Sequence, residues 1–225
     1  MLKNSKDHLY NKIIEKYISM STHNPNARLE AFSDGVFAIA ATLLIIEIKV
    51  PAEHLIHSKE DLLKAFIHQW ASWLAFLISF ITILISWVNH NHATKLIDKT
   101  SPKFTYANGL LLLSIAILPF PTAAVGEYIH TDYAQPAISF YCMISLLNNF
   151  SWLVIIKTAM PLYKTSVDMD KIRTSNKYVL YGFFLYVFAF AISFWFPLTA
   201  FGIIAGSFVL WLILGVSMNE YEIEE

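Results

Sequence analysis

Residues 28–51 read RLEAFSDGVFAIAATLLIIEIKVP and predict a membrane helix with a polar start. No charged residue occurs between Gly35 and Ile46, yet Ser33 and Asp34 lie within the first turns. An acid inside an apolar helix is costly, so it is usually paired and functional. The alternative is that Asp34 lies at the lipid headgroup level and helps to start the helix, because acids are stabilising near helix N-termini.

The overall composition is that of a polytopic membrane protein. Hydrophobic residues make up 56% of the chain and charged residues only 15%, which is too apolar for an ordinary soluble domain. The net charge of -1 argues against nucleic acid as a partner. Cys142 is the only cysteine, so no disulfide can form within the chain.

The apolar pattern predicts an all-α fold with six transmembrane helices, each near the ~20 residues that span a bilayer. We place these segments at 31–50, 66–89, 104–125, 136–157, 177–196 and 198–217. A polar loop, 158–176, separates the fourth segment from the fifth. Pro119 and Pro121 predict a kink or an unwound turn near the end of the third segment.

The six-helix membrane domain, 28–217, lies between an N-terminal segment, 1–27, and a short tail, 218–225. Apolar residues at helical spacing within 1–27 predict an amphipathic surface helix, with a disordered tail as the alternative. Of the 16 Lys and Arg residues, all but Lys49, Lys59 and Lys64 lie on the side of the termini. The positive-inside rule therefore predicts that both termini are cytoplasmic.

The sequence predicts no enzyme, no catalytic residue and no metal site. His54 and His57 have an i, i+3 spacing that would suit a metal on a helix. They lie, however, in a polar loop with no Cys partner and no organised set of carboxylates. No phosphate-binding glycine loop, nucleophile elbow or thiol dyad occurs in the chain.

A channel would need a pore without the usual selectivity devices. The chain has no Thr-Val-Gly-Tyr-Gly loop and no acid at the centre of a predicted segment, which leaves an apolar constriction. In the first segment Ile39, Leu43 and Ile46 share one helix face, and Thr42 brings a hydroxyl to its border. An apolar stripe of this kind is more often a packing surface than a pore, so the residues alone leave both interpretations open.

Several motifs resemble the transmembrane protein 175 family, which comprises potassium-permeable channels of bacteria, archaea and animal lysosomes. The specific motif is Arg-x-x-x-Phe-Ser-Asp at Arg28 to Asp34, followed by the Ile/Ala/Thr/Leu run. Trp87-Val-Asn-His90 resembles the Trp-x-x-His motif of the family's second helix. Asn108 and Leu118-Pro119-Phe120 resemble its third helix. The resemblance covers about the first 125 residues well and the rest by helix count.

The resemblance implies a potassium-selective channel in which the first helix of each subunit lines the pore. Ile39 would match the narrowest point, with Thr42, Leu43 and Ile46 as the next positions outward. A chain with one six-helix unit implies a homotetramer in a lipid bilayer, here the bacterial inner membrane, with permeant potassium ions and no cofactor.

The resemblance also implies a structural role for the polar motif. Phe32, Ser33 and Asp34 would pack the first helix against the second and third helices, and Arg28 would lie at the cytoplasmic rim. The expected partners are Trp87, His90 and Asn108. Such a network would fix the register of the helix, because its members would be unsatisfied in lipid.

Two other functions stay open. One is a secondary transporter or proton-leak protein that uses Asp34 and His90 as a proton relay. Transporters often contain an internal repeat, and nothing like Phe-Ser-Asp recurs after Leu147. The other is a membrane scaffold without transport activity.

Overall fold

The computed structural model describes residues 26–220, apart from the side chains of Lys171, Val209, Leu210 and residues 212–220. The amphipathic helix predicted within residues 1–27 and most of the tail therefore lie outside the described residues. The described chain forms eight α-helices: α1 (Ala27–Ile46), α2 (Lys59–His68), α3 (Trp70–Lys95), α4 (Pro102–Ile117), α5 (Pro119–Tyr128), α6 (Ala134–Ala159), α7 (Met169–Ile192) and α8 (Pro197–Glu220).

The predicted all-α class is confirmed: residues 26–220 contain no strand, only an isolated bridge between Ile97 and Tyr163. Five helical segments are long and apolar enough to cross a membrane: Ala27–Ile46, Trp70–Lys95, Pro102–Tyr128, Ala134–Leu162 and Ile172–Ile192. Pro197–Phe208 is a shorter apolar stretch at the start of α8. The sixth span and the cytoplasmic location of both termini stay predictions.

The helix boundaries follow local sequence signals. Ser101 caps α4, because its hydroxyl accepts a hydrogen bond from the backbone N–H of Phe104 at 3.2 Å. The predicted break in the third segment is confirmed: α4 ends at Ile117 and α5 begins at Pro119. Proline cannot donate the backbone hydrogen bond that would continue the ladder.

The prediction of a polar loop over 158–176 is wrong at both ends. Helix α6 continues to Ala159 and a 3-10 turn follows at Met160–Leu162. Helix α7 already begins at Met169, because the Asp168 carboxylate accepts the backbone N–H of Asp170 at 2.9 Å and caps the helix. This polar first part of α7 precedes its apolar span.

Helix α6 is central to the bundle and contacts α4, α5, α7 and α8. Helix α1 packs against α3, α4 and α5. A buried cluster of hydroxyl groups joins α3, α5 and α6. Ser79 Oγ lies 2.6 Å from Thr122 Oγ1 and 3.1 Å from the Tyr141 hydroxyl. The Thr122 hydroxyl also donates to the carbonyl of Leu118, next to the proline break. These hydroxyl groups therefore form hydrogen bonds with one another at a depth where neither water nor lipid offers a partner.

Gly126 allows the close approach of α5 to α3. A Cβ atom at this position would lie 3.0 Å from the Cα of Ser72 and 2.8 Å from its Oγ. We predict that Gly126→Ala lowers the free energy of unfolding by about 1–3 kcal/mol, because an overpacked contact forces the backbones apart. The measurement is the thermal unfolding midpoint of the purified protein in detergent.

Gly202 is the matched control, because nothing lies within 4 Å of a Cβ atom built there in α8. We expect Gly202→Ala to raise the midpoint, since alanine is favoured over glycine in a helix interior by roughly 0.5–1 kcal/mol. Equal midpoints for the two variants would contradict the close approach.

Candidate functional site

Helix α1 has two faces with different surroundings. The buried face consists of Ser33, Phe37, Ala40 and Leu44, which recur at helical spacing and point towards α3, α4 and α5. The opposite face carries no partner from the described part of the chain. One helix therefore has a face that packs against its own bundle and an opposite face that the described chain does not cover.

The exposed face holds all four residues that the sequence predicts for a pore. Ile39 is 61% exposed, Ile46 is 70% exposed and Leu43 is 41% exposed. Thr42 is exposed beside them. Its hydroxyl donates to the carbonyl of Ile39 at 2.8 Å, and that of Ala38 lies within reach at 3.1 Å. Because the hydroxyl proton is directed to the helix backbone, the oxygen can act only as an acceptor towards other groups.

A buried chain of hydrogen bonds ties the other face of α1 to α3 and α4. The Ser33 hydroxyl donates to the carbonyl of Leu29 at 2.8 Å, and it accepts from Asn108 Nδ2 at 2.9 Å. The amide oxygen of Asn108 must then face His90, whose Nε2 lies 2.8 Å away. An amide oxygen only accepts, so Nε2 of His90 carries a proton. Ser33, His90 and Asn108 are each at most 2% exposed.

A second contact lies beside this chain at the surface. Trp87 Nε1 donates to the Asp34 carboxylate at 2.8 Å. Asp34 is exposed and Trp87 is 37% exposed, so both groups can also reach solvent or lipid headgroups. The structure thus brings Ser33 and Asp34 to the three expected partners on the next two membrane helices.

Arg28 and Phe32 are not brought into this network. Arg28 is exposed in the first turn of α1, and the Phe32 side chain is 65% exposed. By helical spacing both lie on the same face as Ile39. Sequence reasoning missed Phe37, whose ring packs against the imidazole of His90 with centroids 5.6 Å apart. Phe37 follows Ser33 by four residues, so helical spacing places both on the same face of α1 and could have identified it.

The arrangement offers packing and an exposed surface but no reaction chemistry. Among the described residues no group of three or more His, Cys, Asp or Glu could hold a metal ion. Asp34 and His90 each have a separate partner, and the hydrogen bonds described above do not join them to each other.

The family described as "Endosomal/lysosomal potassium channel TMEM175" matches residues 28–119, a range that contains every predicted site residue. A potassium channel of Chamaesiphon minutus is 43% identical over 171 residues, which are 74% of this chain and 83% of that protein. The crystal structure of a lysosomal potassium-selective channel TMEM175 homolog from Chamaesiphon minutus superposes with a TM-score of 0.77 at 37% identity. The superposition covers 84% of this chain and 97% of that one.

An animal protein, the endosomal/lysosomal proton channel TMEM175 of Gallus gallus, is 30% identical over 170 residues. This match covers 73% of the present chain but only 32% of the chicken protein. The present chain is therefore similar to one part of a much longer animal protein.

The geometry predicts that Ser33→Ala destabilises the protein more than Asp34→Ala does. Ser33→Ala leaves the buried Asn108 amide without its acceptor, which costs about 1–3 kcal/mol. Asp34→Ala leaves only the partly exposed Trp87 N–H, so we expect a smaller loss of about 0.5–1.5 kcal/mol. The measurement is the thermal unfolding midpoint in detergent. Thr105→Ala is the control, because this exposed hydroxyl bonds only within its own helix turn. An Asp34→Ala variant less stable than Ser33→Ala would contradict the assignment.

Proposed function

Because this chain belongs to the TMEM175 family and is an ion channel, not an enzyme, we propose that it conducts potassium through a pore lined by α1. The single observation that carries the proposal is the exposed face of α1. It has the length of a membrane span, is apolar between Gly35 and Ile46, and is left uncovered by the described chain. An apolar face next to lipid would need no hydroxyl at its border, whereas a pore gains an oxygen ligand from Thr42.

One helix cannot enclose a pore, so the channel forms from several copies of the chain. We propose a homotetramer with four α1 helices around the axis, in keeping with the closed symmetry of most homo-oligomers. The buried face of α1 then rests on its own subunit, and the exposed face of Ile39, Thr42, Leu43 and Ile46 lines the pore.

The narrowest point in this arrangement is a ring of four Ile39 side chains. Such a ring holds few water molecules, so a hydrated cation meets a desolvation barrier there. No acid on this face offsets the barrier by its charge. The gate is therefore an apolar constriction that conducts when it widens and becomes wet.

Selectivity for potassium would come from the hydroxyl ring of Thr42, one turn from the constriction. Its oxygen is left as an acceptor, because its proton is directed to backbone carbonyls. Four such oxygens could replace part of the hydration shell of the ion.

The remaining features of the proposal follow from the sequence and the family. The protein lies in the bacterial inner membrane with six spans and both termini in the cytoplasm, and Arg28 lies at the cytoplasmic rim of the pore. It needs no cofactor; potassium is present only as the permeant ion.

Proton conduction through the same pore is the second candidate function, supported by the proton-channel names of the animal relatives. A proton relay from Asp34 to His90 has less support, since the two side chains have separate partners. Single-channel recording in a reconstituted bilayer with potassium, sodium and pH gradients tests all three functions. Unitary steps that reverse near the potassium potential support the proposal, and a small flux driven only by pH overturns it.

We predict that Ile39→Ala widens and wets the constriction and raises cation flux into liposomes. Lowering the barrier by about 1.4 kcal/mol raises the flux about tenfold. Discrimination among monovalent cations should fall at the same time. Flux is normalised to the amount of assembled protein.

Ile45→Ala is the control for this prediction. Ile45 lies on the same helix and is 46% exposed, but helical spacing turns it well away from Ile39. Leu44→Ala is less suitable, because Leu44 is fully buried and its truncation would lower the free energy of unfolding by about 2–5 kcal/mol. Equal flux for wild type, Ile39→Ala and Ile45→Ala would refute the pore assignment of α1.

Thr42→Val should weaken the preference for potassium over sodium while conduction continues. Valine has nearly the shape of threonine, so the change removes the oxygen and little else. Thr42→Ser keeps the oxygen and should retain most of the preference. The measurement is the reversal potential with potassium on one side and sodium on the other; an unchanged value in Thr42→Val would remove Thr42 from the selectivity account.

A further inference from the structure

A second uncovered surface lies between α5 and α6, and none of its lining residues belongs to α1. It is an open groove of about 450 Å³ along the α5–α6 hairpin. Its lining is apolar and aromatic: Phe120, Ala124, Tyr128, Tyr133, Pro136, Ala137 and Phe140. We propose that this groove binds one acyl chain of a phospholipid that has an amine headgroup.

The shape of the groove fits an extended chain. Phe120, Ala124 and Tyr128 are spaced four residues apart, so they form a line about 12 Å long on one face of α5. Phe120 and Phe140 meet edge to face at one end, with ring centroids 5.7 Å apart. Tyr128 and Tyr133 form a similar pair at the other end, 6.3 Å apart. The small side chains of Ala124 and Ala137 leave the space between the two pairs open.

The position of the groove favours a lipid as its occupant. All but one of its residues belong to the two apolar spans Pro102–Tyr128 and Ala134–Leu162, and Tyr133 immediately precedes the second span. Tyr128 and Tyr133 lie where these spans end, which is where tyrosine rings meet the lipid headgroups. Thr122, Ala123 and Gly126 line a small cavity against α1 and α3 on another side of α5. The groove therefore opens away from the helix that is proposed to surround the pore.

The charges near the tyrosine pair select the headgroup. Residues 128–133 read YIHTDY and contain one exposed acid, Asp132, next to Tyr133, and no Lys or Arg. Glu127 lines the cavity against α1 and α3 instead. Acids attract the ammonium group of phosphatidylethanolamine and repel the net negative charge of phosphatidylglycerol. The tyrosine hydroxyls can donate hydrogen bonds to the ester oxygens of either lipid.

The test is photolabelling of the full chain in liposomes, with a diazirine on the acyl chain of phosphatidylethanolamine or of phosphatidylglycerol. Cross-linked residues are identified by mass spectrometry, a measurement that does not depend on ion conduction. We expect adducts concentrated on the groove, several-fold more with the ethanolamine lipid. Equal labelling of the exposed α7 residues Tyr181, Phe184 and Phe188 would mean bulk lipid only and would overturn the proposal.

Variants separate the groove from its surroundings. Ala124→Trp fills the groove and should lower its labelling several-fold, whereas Leu180→Trp on the exposed face of α7 should leave it unchanged. If Ala124→Trp does not assemble, Tyr133→Ala removes an exposed ring that is 67% accessible and should lower labelling as well. Asp132→Asn should reduce the preference for the ethanolamine lipid, and Asp61→Asn in α2 should not. Groove residues that cross-link to a second copy of the chain instead of lipid would refute the assignment.

Discussion

The buried chain of hydrogen bonds from His90 through Asn108 and Ser33 to the carbonyl of Leu29 fixes the rotation of α1. A helix with a weakly amphipathic sequence could turn about its axis at little cost, because lipid and the bundle interior are similarly apolar. A turn of this helix would break hydrogen bonds that nothing in the membrane core could replace. The polar chain therefore decides which residues of α1 are buried and which remain available.

Elsewhere in the bundle, too, polar groups find their hydrogen-bond partners within the protein. Where Pro119 interrupts the third span, hydroxyls on three helices gather around the break, and Thr122 bonds back to the carbonyl of Leu118. At the lysine-rich end, backbone hydrogen bonds pair the α3–α4 connection with the α6–α7 connection, between Asp98 and Leu162 and between Lys164 and Leu96. Asn26, just before α1, donates to the carbonyl of Ile97 in the same place. These contacts lie where the backbone is interrupted or begins. Further hydrogen bonds join helices along their length, such as Asn148 to Ser114 and Tyr186 to Ser207.

Much of this could be predicted from sequence, and the omissions have physical causes. Apolar length predicted the five candidate spans that the structure contains, and Pro119 predicted the break in the third, because both effects are local. The motif residues Ser33, Asp34, Trp87, His90 and Asn108 could be grouped only through the family resemblance, since their contacts join residues up to 75 positions apart. Phe32 was grouped with its neighbours in sequence, but a residue next to Ser33 on a helix points about 100° away from it. The early start of α7 depends on the cap at Asp168, a side-chain contact that hydropathy does not report.

Because α1 has two faces, the residues that stabilise the bundle differ from the residues on its exposed surface. The buried residues of α1 pack into the bundle, whereas Ile39, Thr42, Leu43 and Ile46 lie outside its interior. Mutation can therefore vary the exposed set one position at a time without first compensating for lost stability. A single scaffold of this kind can diversify into proteins that share a bundle and differ in the side chains on the outside of the first helix.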